Sequence, residues 1–288
     1  MCYFFHMIIG LAQIAPRLGD LKHNYDLHFA EIENAAKEKA DLLVFPELSL
    51  TGYTLKDLSE EVALNPLKDS RFQKLVAASR RLSLVVGFVE EKEKGLYHNS
   101  AAFLSGGRIR HIHRKVFLPT GGIFEEGKIF MPGRIFAPFA TPFGRAGLLI
   151  CRDFLHTSAS YLLFAGGAEM VIVISAAPGR GLSELAGFVS SRLWQLMGEA
   201  VSLFSTCFVV YCNRVGFEDG LAFAGGSFIF GPSGELLVKA PELEARSFFQ
   251  EIRPEDVRAA RRKFPYKRDD KPEIILEALK RIVGNHED

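Results

Sequence analysis

Residues 147–175, GLLICRDFLHTSASYLLFAGGAEMVIVIS, carry the pattern on which the fold prediction depends. The apolar runs at 146–150 and 170–175 are short and aliphatic, as is typical of buried strands. The segment between them, 157–166, has the length and composition of a helix. Strands that alternate with helices in this way indicate a layered fold in which helices cover a sheet.

On both sides of this stretch the alternation continues, now mixed with hairpins. Two pairs of short strands flank the turn sequences SGG (105–107) and PSG (232–234), and each pair is predicted to form a hairpin. Strands are predicted at 7–14, 41–46, 83–89, 97–104, 108–113, 134–140, 207–212, 227–231, 235–239 and 245–252, and helices at 22–40, 68–82, 183–204, 254–263 and 271–283. So many strands imply an α+β fold with two mixed sheets and helices outside them. Because no repeat or linker interrupts the pattern, a single domain over 1–288 is expected, with 254–288 as a C-terminal arm.

The composition excludes several classes of protein. The chain has 288 residues, 48% of them hydrophobic, which is enough for a large core. Its net charge of +1 gives no overall field that would attract nucleic acid or a membrane surface. It shows neither a basic leader nor an apolar run of ~18 residues, so we expect no signal peptide and no membrane span. The four cysteines form neither a disulfide framework nor a CxxC pair, which favours a cytoplasmic protein without a metal or other cofactor.

Four segments place reactive side chains at the ends of strands or in a glycine-bounded loop. They are Glu47 in FPELSLTGY, Lys115 in HRKVFLPT, Cys151 in GLLICRDF, and the pair Glu125 and Glu126 in GGIFEEGKIFMPG. Taken singly, each has an ordinary interpretation, as a solvated charge or a small packing residue. Cys207 and Cys212 lie inside the apolar run CFVVYC and are predicted to be packing residues.

Taken in order, the segments resemble the nitrilase, or carbon–nitrogen hydrolase, superfamily. Its members carry a Glu in an FPE-type segment, a Lys in an RK-type segment and a Cys at a strand end, which correspond here to Glu47, Lys115 and Cys151. The opening GLAQIAPRLGDLKHN is also similar, whereas GYTLKDL (52–58) and the ending RRKFPYKRDDKPEIILEAL most resemble the glutaminase domain of glutamine-dependent NAD synthetases. The resemblance implies a four-layer α-β-β-α sandwich. Because the sequence pattern of the family begins near Met7, residues 1–6 are a candidate N-terminal extension.

The resemblance also implies a cysteine hydrolase that acts on a small amide through a thioester. Glu47 is expected to take the proton of the Cys151 thiol, and Lys115 to stabilise the negative charge of the tetrahedral intermediate. The second glutamate of the family corresponds to Glu126, which is expected to hold Lys115 or the substrate. Tyr53, in the glutaminase-like segment, is expected to line the substrate site.

Arg152 departs from the glutaminase pattern, which usually has an acid directly after the nucleophile. This arginine could bind a substrate carboxylate or pair with Asp153 or another acid, and the sequence leaves both possibilities open. The sequence has no glycine-rich phosphate loop and no ATP-pyrophosphatase half, so a complete NAD synthetase is not expected. The alternatives to an amidase are a true nitrilase, a glutaminase subunit that supplies a separate synthetase, and a catalytically idle binding subunit.

A homodimer or larger homo-oligomer is expected, because family members commonly associate through the helices that match 157–166 and 183–204. The second of these segments has more apolar residues than one face of a helix needs. The basic stretch 258–271 is followed at once by acids, which favours a solvated or subunit-contacting arm over a nucleic-acid site.

Overall fold

A computed structural model of the chain describes residues 6–122, 124–183 and 187–284. Its strands are β1 (Met7–Gln13), β2 (Leu42–Val44), β3 (Ser83–Glu93), β4 (Leu96–Ser105), β5 (Arg108–Arg114), β6 (Phe139–Thr141), β7 (Gly144–Ile150), β8 (Met170–Ser175), β9 (Leu182–Ser183), β10 (Gly187–Phe188), β11 (Phe208–Asn213), β12 (Val215–Glu218), β13 (Leu221–Ala224), β14 (Phe228–Phe230), β15 (Leu236–Lys239) and β16 (Arg246–Ile252). Its α-helices are α1 (Leu21–Lys37), α2 (Ser59–Val62), α3 (Ser70–Ala78), α4 (Glu126–Ile129), α5 (Thr157–Ala165), α6 (Val189–Ser205), α7 (Asp256–Lys263), α8 (Tyr266–Asp269) and α9 (Pro272–Gly284), and short 3-10 helices span Lys56–Leu58 and Cys151–Leu155.

Two six-stranded mixed sheets form the centre of the molecule. The first has the order β16-β1-β2-β3-β4-β5, and the second has the order β15-β14-β11-β8-β7-β6. The middle strands β1, β2 and β3 run parallel, as do β7, β8 and β11, while the flanking strands pair antiparallel. The carboxyl ends of the parallel strands β2 and β7 are therefore available for functional side chains.

Side chains from the two sheets meet in one apolar core, and helices cover the outer face of each sheet. Between the sheets, Leu11 and Val44 of the first pack in the same cluster as Ile150 and Ile174 of the second. Helices α1 and α3 pack on the outside of the first sheet, and α5 and α6 pack on the outside of the second. This arrangement confirms the four-layer α-β-β-α sandwich expected from the sequence.

Several predicted boundaries are wrong. The helix predicted at 183–204 begins only at Val189, because residue 183 belongs to β9, which pairs with β10. The strand predicted at 134–140 shrinks to Phe139–Thr141, since Pro138 has no N–H for a ladder and the preceding residues have no partner strand. The β12–β13 hairpin is a further strand pair that the prediction omitted. Its Asp219-Gly220 turn, with φ of 47° and 78°, is a recognised hairpin signal.

The two ends of the chain are described only in part. The candidate extension at 1–6 lies outside the described residues except for His6. The C-terminal arm forms α7, α8 and α9 up to residue 284, and 285–288 lie outside the described residues. Across the described ranges, no helix combines the length and the apolar character needed to cross a bilayer.

Candidate active site

Glu47 lies just beyond the end of β2, in a turn held against β3. The Phe45 N–H continues the pairing by donating to the Val85 carbonyl, and the chain then turns at Pro46. A Cβ on Gly87 would lie 2.4 Å from the Pro46 carbonyl oxygen, so only glycine allows this close approach of the two backbones. The turn fixes Glu47 in the interior, where its side chain is 1% exposed.

Lys115 lies directly after β5 and bridges two carboxylates. Its Nζ donates to Glu47 Oε1 and to Glu126 Oε1, each at 2.7 Å. Glu126, the first residue of α4, also accepts a hydrogen bond of 2.7 Å from the Tyr53 hydroxyl. All three charged side chains are buried. The structure therefore brings four of the candidate residues, Glu47, Lys115, Glu126 and Tyr53, into one hydrogen-bonded cluster.

Asn99 and a backbone N–H complete the surroundings of Glu47. The Nδ2 of Asn99, on β4, donates to Glu47 Oε1 at 2.8 Å and to Glu126 Oε2 at 3.4 Å. The N–H of Ala176, just after β8, donates to Glu47 Oε2 at 2.7 Å. Both oxygens of Glu47 are thus held by donors, which fixes the carboxylate in one orientation. Sequence reasoning missed Asn99, because it lies inside the predicted strand 97–104 and no motif or turn next to it marks it as functional.

Cys151 lies at the carboxyl end of β7, where the strand turns into a 3-10 helix. Its φ of 44° is in the left-handed region that residues with a Cβ rarely adopt. Such strain persists only where the surrounding structure enforces it, and it is concentrated at functional sites. The side chain is partly exposed to a cavity of about 200 Å³, which is also lined by Tyr53 and Trp194.

The electrostatic surroundings keep the thiol protonated. Burial raises the pKa of Cys151, and the charge of Glu47 raises it further, while Lys115 and the Ser175 hydroxyl oppose the shift. The pKa therefore lies above its ordinary value, and at neutral pH the sulfur carries its proton. A nucleophilic role for this sulfur requires a base, and Glu47 is the carboxylate whose charge acts most strongly on it.

The raised pKa makes a prediction about pH. We expect modification of Cys151 by a small neutral thiol reagent such as methyl methanethiosulfonate to accelerate with rising pH beyond pH 9. The reason is that the thiolate fraction grows until the pH reaches the pKa. The check is mass-spectrometric labelling of Cys151 between pH 6 and 10. A rate that levels off below pH 8 would show a preformed thiolate and contradict this interpretation.

Lys115 stays charged despite its burial. Burial alone lowers the pKa of Lys115, but the carboxylates of Glu126 and Glu47 outweigh it and raise that pKa. Burial raises the pKa of Glu126, while Lys115 acts against this shift. The cluster thus contains a permanent ammonium group beside the thiol, where it can stabilise an anion.

His113 and Asp153 connect the segment of Lys115 to the turn of Cys151. Asp153 Oδ2 accepts from His113 Nε2 at 2.8 Å, and its Oδ1 accepts from the N–H groups of Val116 and Phe117 at 3.0 and 2.9 Å. Both side chains are buried. One carboxylate thereby fixes the strand ends of two different sheets relative to each other. Sequence reasoning named Asp153 only as a partner for Arg152, and no such ion pair forms.

A buried ion pair holds the segment of Tyr53. Glu218 Oε1 accepts from the N–H groups of Tyr53 and Thr54 at 2.8 and 2.7 Å. Its Oε2 accepts from Arg214 Nη1 at 2.7 Å, and the Arg214 guanidinium lies 4.1 Å from the centroid of the Phe223 ring. Glu218 is on the β12–β13 hairpin that the sequence analysis missed, so this support was missed with it.

Arg152 lies at the mouth of the cavity, exposed to solvent. A wider groove of about 1020 Å³ shares Arg152 and Arg180 with that cavity, together with Pro119 and Phe124. Within the described ranges, no group of three or more His, Cys, Asp or Glu side chains is arranged to hold a metal ion. The site therefore offers a thiol that lines a small cavity, with a carboxylate and an ammonium group buried next to the thiol.

These features define a class of protein. Its members have an α-β-β-α sandwich in which a cysteine, a glutamate and a lysine lie at the ends of strands from both sheets. The chain matches the family model of the carbon-nitrogen hydrolases over residues 8–262. It therefore belongs to the carbon–nitrogen hydrolase family.

Individual relatives support this assignment. An (R)-stereoselective amidase of a Pseudomonas species is 34% identical over 284 residues, which cover 98% of this chain and 97% of the relative. The glutamine-dependent NAD(+) synthetase of Acinetobacter baylyi is 32% identical over 85% of this chain, but the chain spans only 44% of that protein. A carbon-nitrogen hydrolase structure from Helicobacter pylori superposes with a TM-score of 0.84 at 28% identity, covering 96% of this chain and 99% of the other.

Proposed function

We propose that the protein hydrolyses the carbon–nitrogen bond of a small amide, with Cys151 as nucleophile, Glu47 as general base and Lys115 as the stabilising cation. The observation that supports this most directly is the buried Glu47–Lys115–Glu126 cluster beside a strained cysteine that opens into a cavity. The Pseudomonas amidase, which is similar over nearly its whole length, favours an amide substrate over a nitrile.

The first half of the reaction makes a thioester. Glu47 takes the proton from Cys151 as the sulfur attacks the amide carbon, and the carbonyl oxygen becomes negatively charged. Lys115 and the backbone N–H of Arg152 stabilise that oxygen, and one such donor is typically worth about 2.7–4 kcal/mol. When the carbon–nitrogen bond breaks, the leaving amine takes the proton from Glu47, and the acyl group remains on the sulfur.

The second half of the reaction releases the acid. Glu47, again without a proton, takes one from a water molecule, which attacks the thioester carbon. The carbon–sulfur bond breaks, and the proton returns from Glu47 to Cys151. Glu126 acts on neither reactant. It holds Lys115 in place and accepts the hydrogen bond of Tyr53, so that the ammonium points at the same position in both halves.

A turnover panel of ω-amides, carbamoyl compounds and nitriles, with ammonia release as the readout, tests this function. The amidase proposal requires hydrolysis of amides. Turnover of nitriles alone would instead establish a nitrilase. Turnover of glutamine only in the presence of a partner from cell extract would establish a glutaminase subunit, and no turnover with an unlabelled Cys151 would establish an idle binding subunit.

A Glu47→Gln substitution is expected to lower kcat/KM by a factor of about 10²–10⁴, the usual contribution of a general base. Both oxygens of Glu47 accept from donors, so a glutamine amide would place its NH₂ against another donor in either orientation. The matched control is Glu125→Gln, which changes an exposed glutamate paired with Lys128. Steady-state kinetics of both variants check the prediction, and equal losses would remove Glu47 from its proposed role.

We also propose a homodimer formed through α5 and α6. Val189, Leu193 and Leu196 lie on one side of α6, and each is at least half exposed, with Leu162 of α5 48% exposed. An apolar patch of this kind marks an interaction surface.

Light scattering should give a dimer at micromolar concentration. Leu196→Asp should shift it to monomer, whereas Leu67→Asp, on an exposed leucine in the turn between α2 and α3, should not. A monomeric parent chain would contradict the proposal.

A further inference from the structure

Two arginine side chains reach the cavity that contains the thiol. Arg152 follows Cys151 directly, and Arg180 comes from the segment after β8. Both side chains are exposed, and both line the narrow cavity as well as the wider groove outside it. The Arg180 guanidinium lies 5.4 Å from the centroid of the Phe124 ring, another residue of the cavity wall. Two positive charges therefore line the cavity that contains the thiol.

The acids close to these arginines are already engaged. Asp153 accepts from His113 and from three backbone N–H groups, and Glu126 accepts from Lys115 and Tyr53. In the part of the chain that the structure describes, neither Arg152 nor Arg180 forms an ion pair with an acidic side chain. Arg214, by contrast, is buried and paired with Glu218. Among the described residues, no acidic side chain therefore neutralises the charges of the two cavity arginines.

We propose that Arg152 and Arg180 bind a carboxylate at the far end of the substrate, so that the enzyme prefers monoamides of short dicarboxylic acids. A guanidinium group presents its donors in a planar fork that matches a carboxylate. Two guanidinium groups in one cavity therefore favour a substrate whose far end is negatively charged over one whose far end is neutral. This inference rests on the proposed amidase function. It adds the substrate class to it.

The size of the cavity limits the substrate. Its volume of about 200 Å³ is below the ~300 Å³ at which ligand pockets usually begin, so it suits a chain of a few carbons between amide and carboxylate. The same charges disfavour glutamine. Its ammonium is attached to the carbon that bears the carboxylate, so binding of that carboxylate brings the ammonium close to both guanidinium groups, where like charges repel.

The test measures binding to the Cys151→Ala variant, which cannot turn the ligand over. Calorimetry compares glutaramate, the monoamide of pentanedioic acid, with neutral pentanamide and with glutamine. We expect glutaramate to bind at least about tenfold more tightly than either. We expect an added Arg152→Ala or Arg180→Ala substitution to weaken glutaramate binding about tenfold, or about 1.4 kcal/mol, and to leave pentanamide unchanged.

Arg108 provides the matched control. It is an exposed arginine at the end of β5 opposite to Lys115, so an added Arg108→Ala substitution should change none of the three affinities. Equal affinities for glutaramate and pentanamide, or arginine substitutions that weaken both ligands alike, would overturn the inference. Since these measurements need no turnover, they are separate from ammonia release by the unmodified enzyme, whose absence with every amide would overturn the proposed function itself.

Discussion

A Cys151→Ala variant is expected to lose amide turnover by a factor of at least about 10⁴ and to keep the parent fold. Without the sulfur no thioester can form, and the remaining groups can only polarise an amide for direct attack by water. The backbone strain at this position is unchanged, because alanine has the same Cβ in the left-handed region as cysteine. The side chain is only partly buried where it packs against the core, so its truncation to alanine is expected to cost little stability.

Cys207→Ala is the matched control for the loss of a thiol. Cys207 is 1% exposed and packs in the apolar layer between the second sheet and α6. Its removal is expected to cost about 1 kcal/mol of unfolding free energy and to leave kcat unchanged. The two variants thus separate chemistry from packing. Parent-like ammonia release by Cys151→Ala, measured with the same substrate, would show that the sulfur is not the nucleophile.

The α+β class could be predicted from local patterns, whereas the four-layer sandwich and the candidate residues Glu47, Lys115 and Cys151 were expected from the resemblance to a known family. Apolar runs of strand length set apart the core strands of both sheets, and the segments around Glu47, Lys115 and Cys151 are contiguous in the chain. The sandwich then brings these three together from strands that are distant in sequence, with Nζ of Lys115 2.7 Å from a carboxylate 68 residues away.

The supporting residues could not be predicted, because their roles depend on contacts between segments that are distant in sequence. Asn99 lies in an ordinary strand, and only the structure places its amide between Glu47 and Glu126. Asp153 looked like a partner for its neighbour Arg152, but the turn at Cys151 directs it to His113 instead. The Asp219-Gly220 turn is different, since it carried a readable hairpin signal that would have located Glu218.

A Lys115→Met substitution is expected to lower the unfolding free energy by about 3–5 kcal/mol, the usual cost of removing one partner from a buried ion pair. Lys115 is fully buried, and its loss leaves the carboxylates of Glu47 and Glu126 facing each other without a cation. Turnover should be lost as well, because the oxyanion loses its stabilising charge. Lys128→Met, which removes an exposed lysine paired with Glu125, should change stability by less than about 0.5 kcal/mol.

The stability of Lys115→Met should also fall as the pH rises. Burial and the charge of Glu47 raise the pKa of Glu126, and Lys115 opposes them, so its removal raises that pKa further. The folded variant then binds a proton that an unfolded glutamate, with a pKa near 4.5, has released, and folding stability falls with pH wherever the folded state binds more protons. Urea unfolding at pH 5 and pH 8 should therefore give a larger difference for this variant than for Lys128→Met.

A double variant, Lys115→Met with Glu126→Gln, distinguishes charge repulsion from lost packing. Because it removes one of the two facing carboxylates, the double variant should regain part of the lost stability and lose most of the added pH dependence. It should remain inactive, because the ammonium group is still missing. If the double variant were no more stable than Lys115→Met alone, repulsion between the carboxylates could not be the cause. The lysine would then stabilise the fold through packing of its aliphatic stem, and its placement between two acids would have to serve the reaction alone.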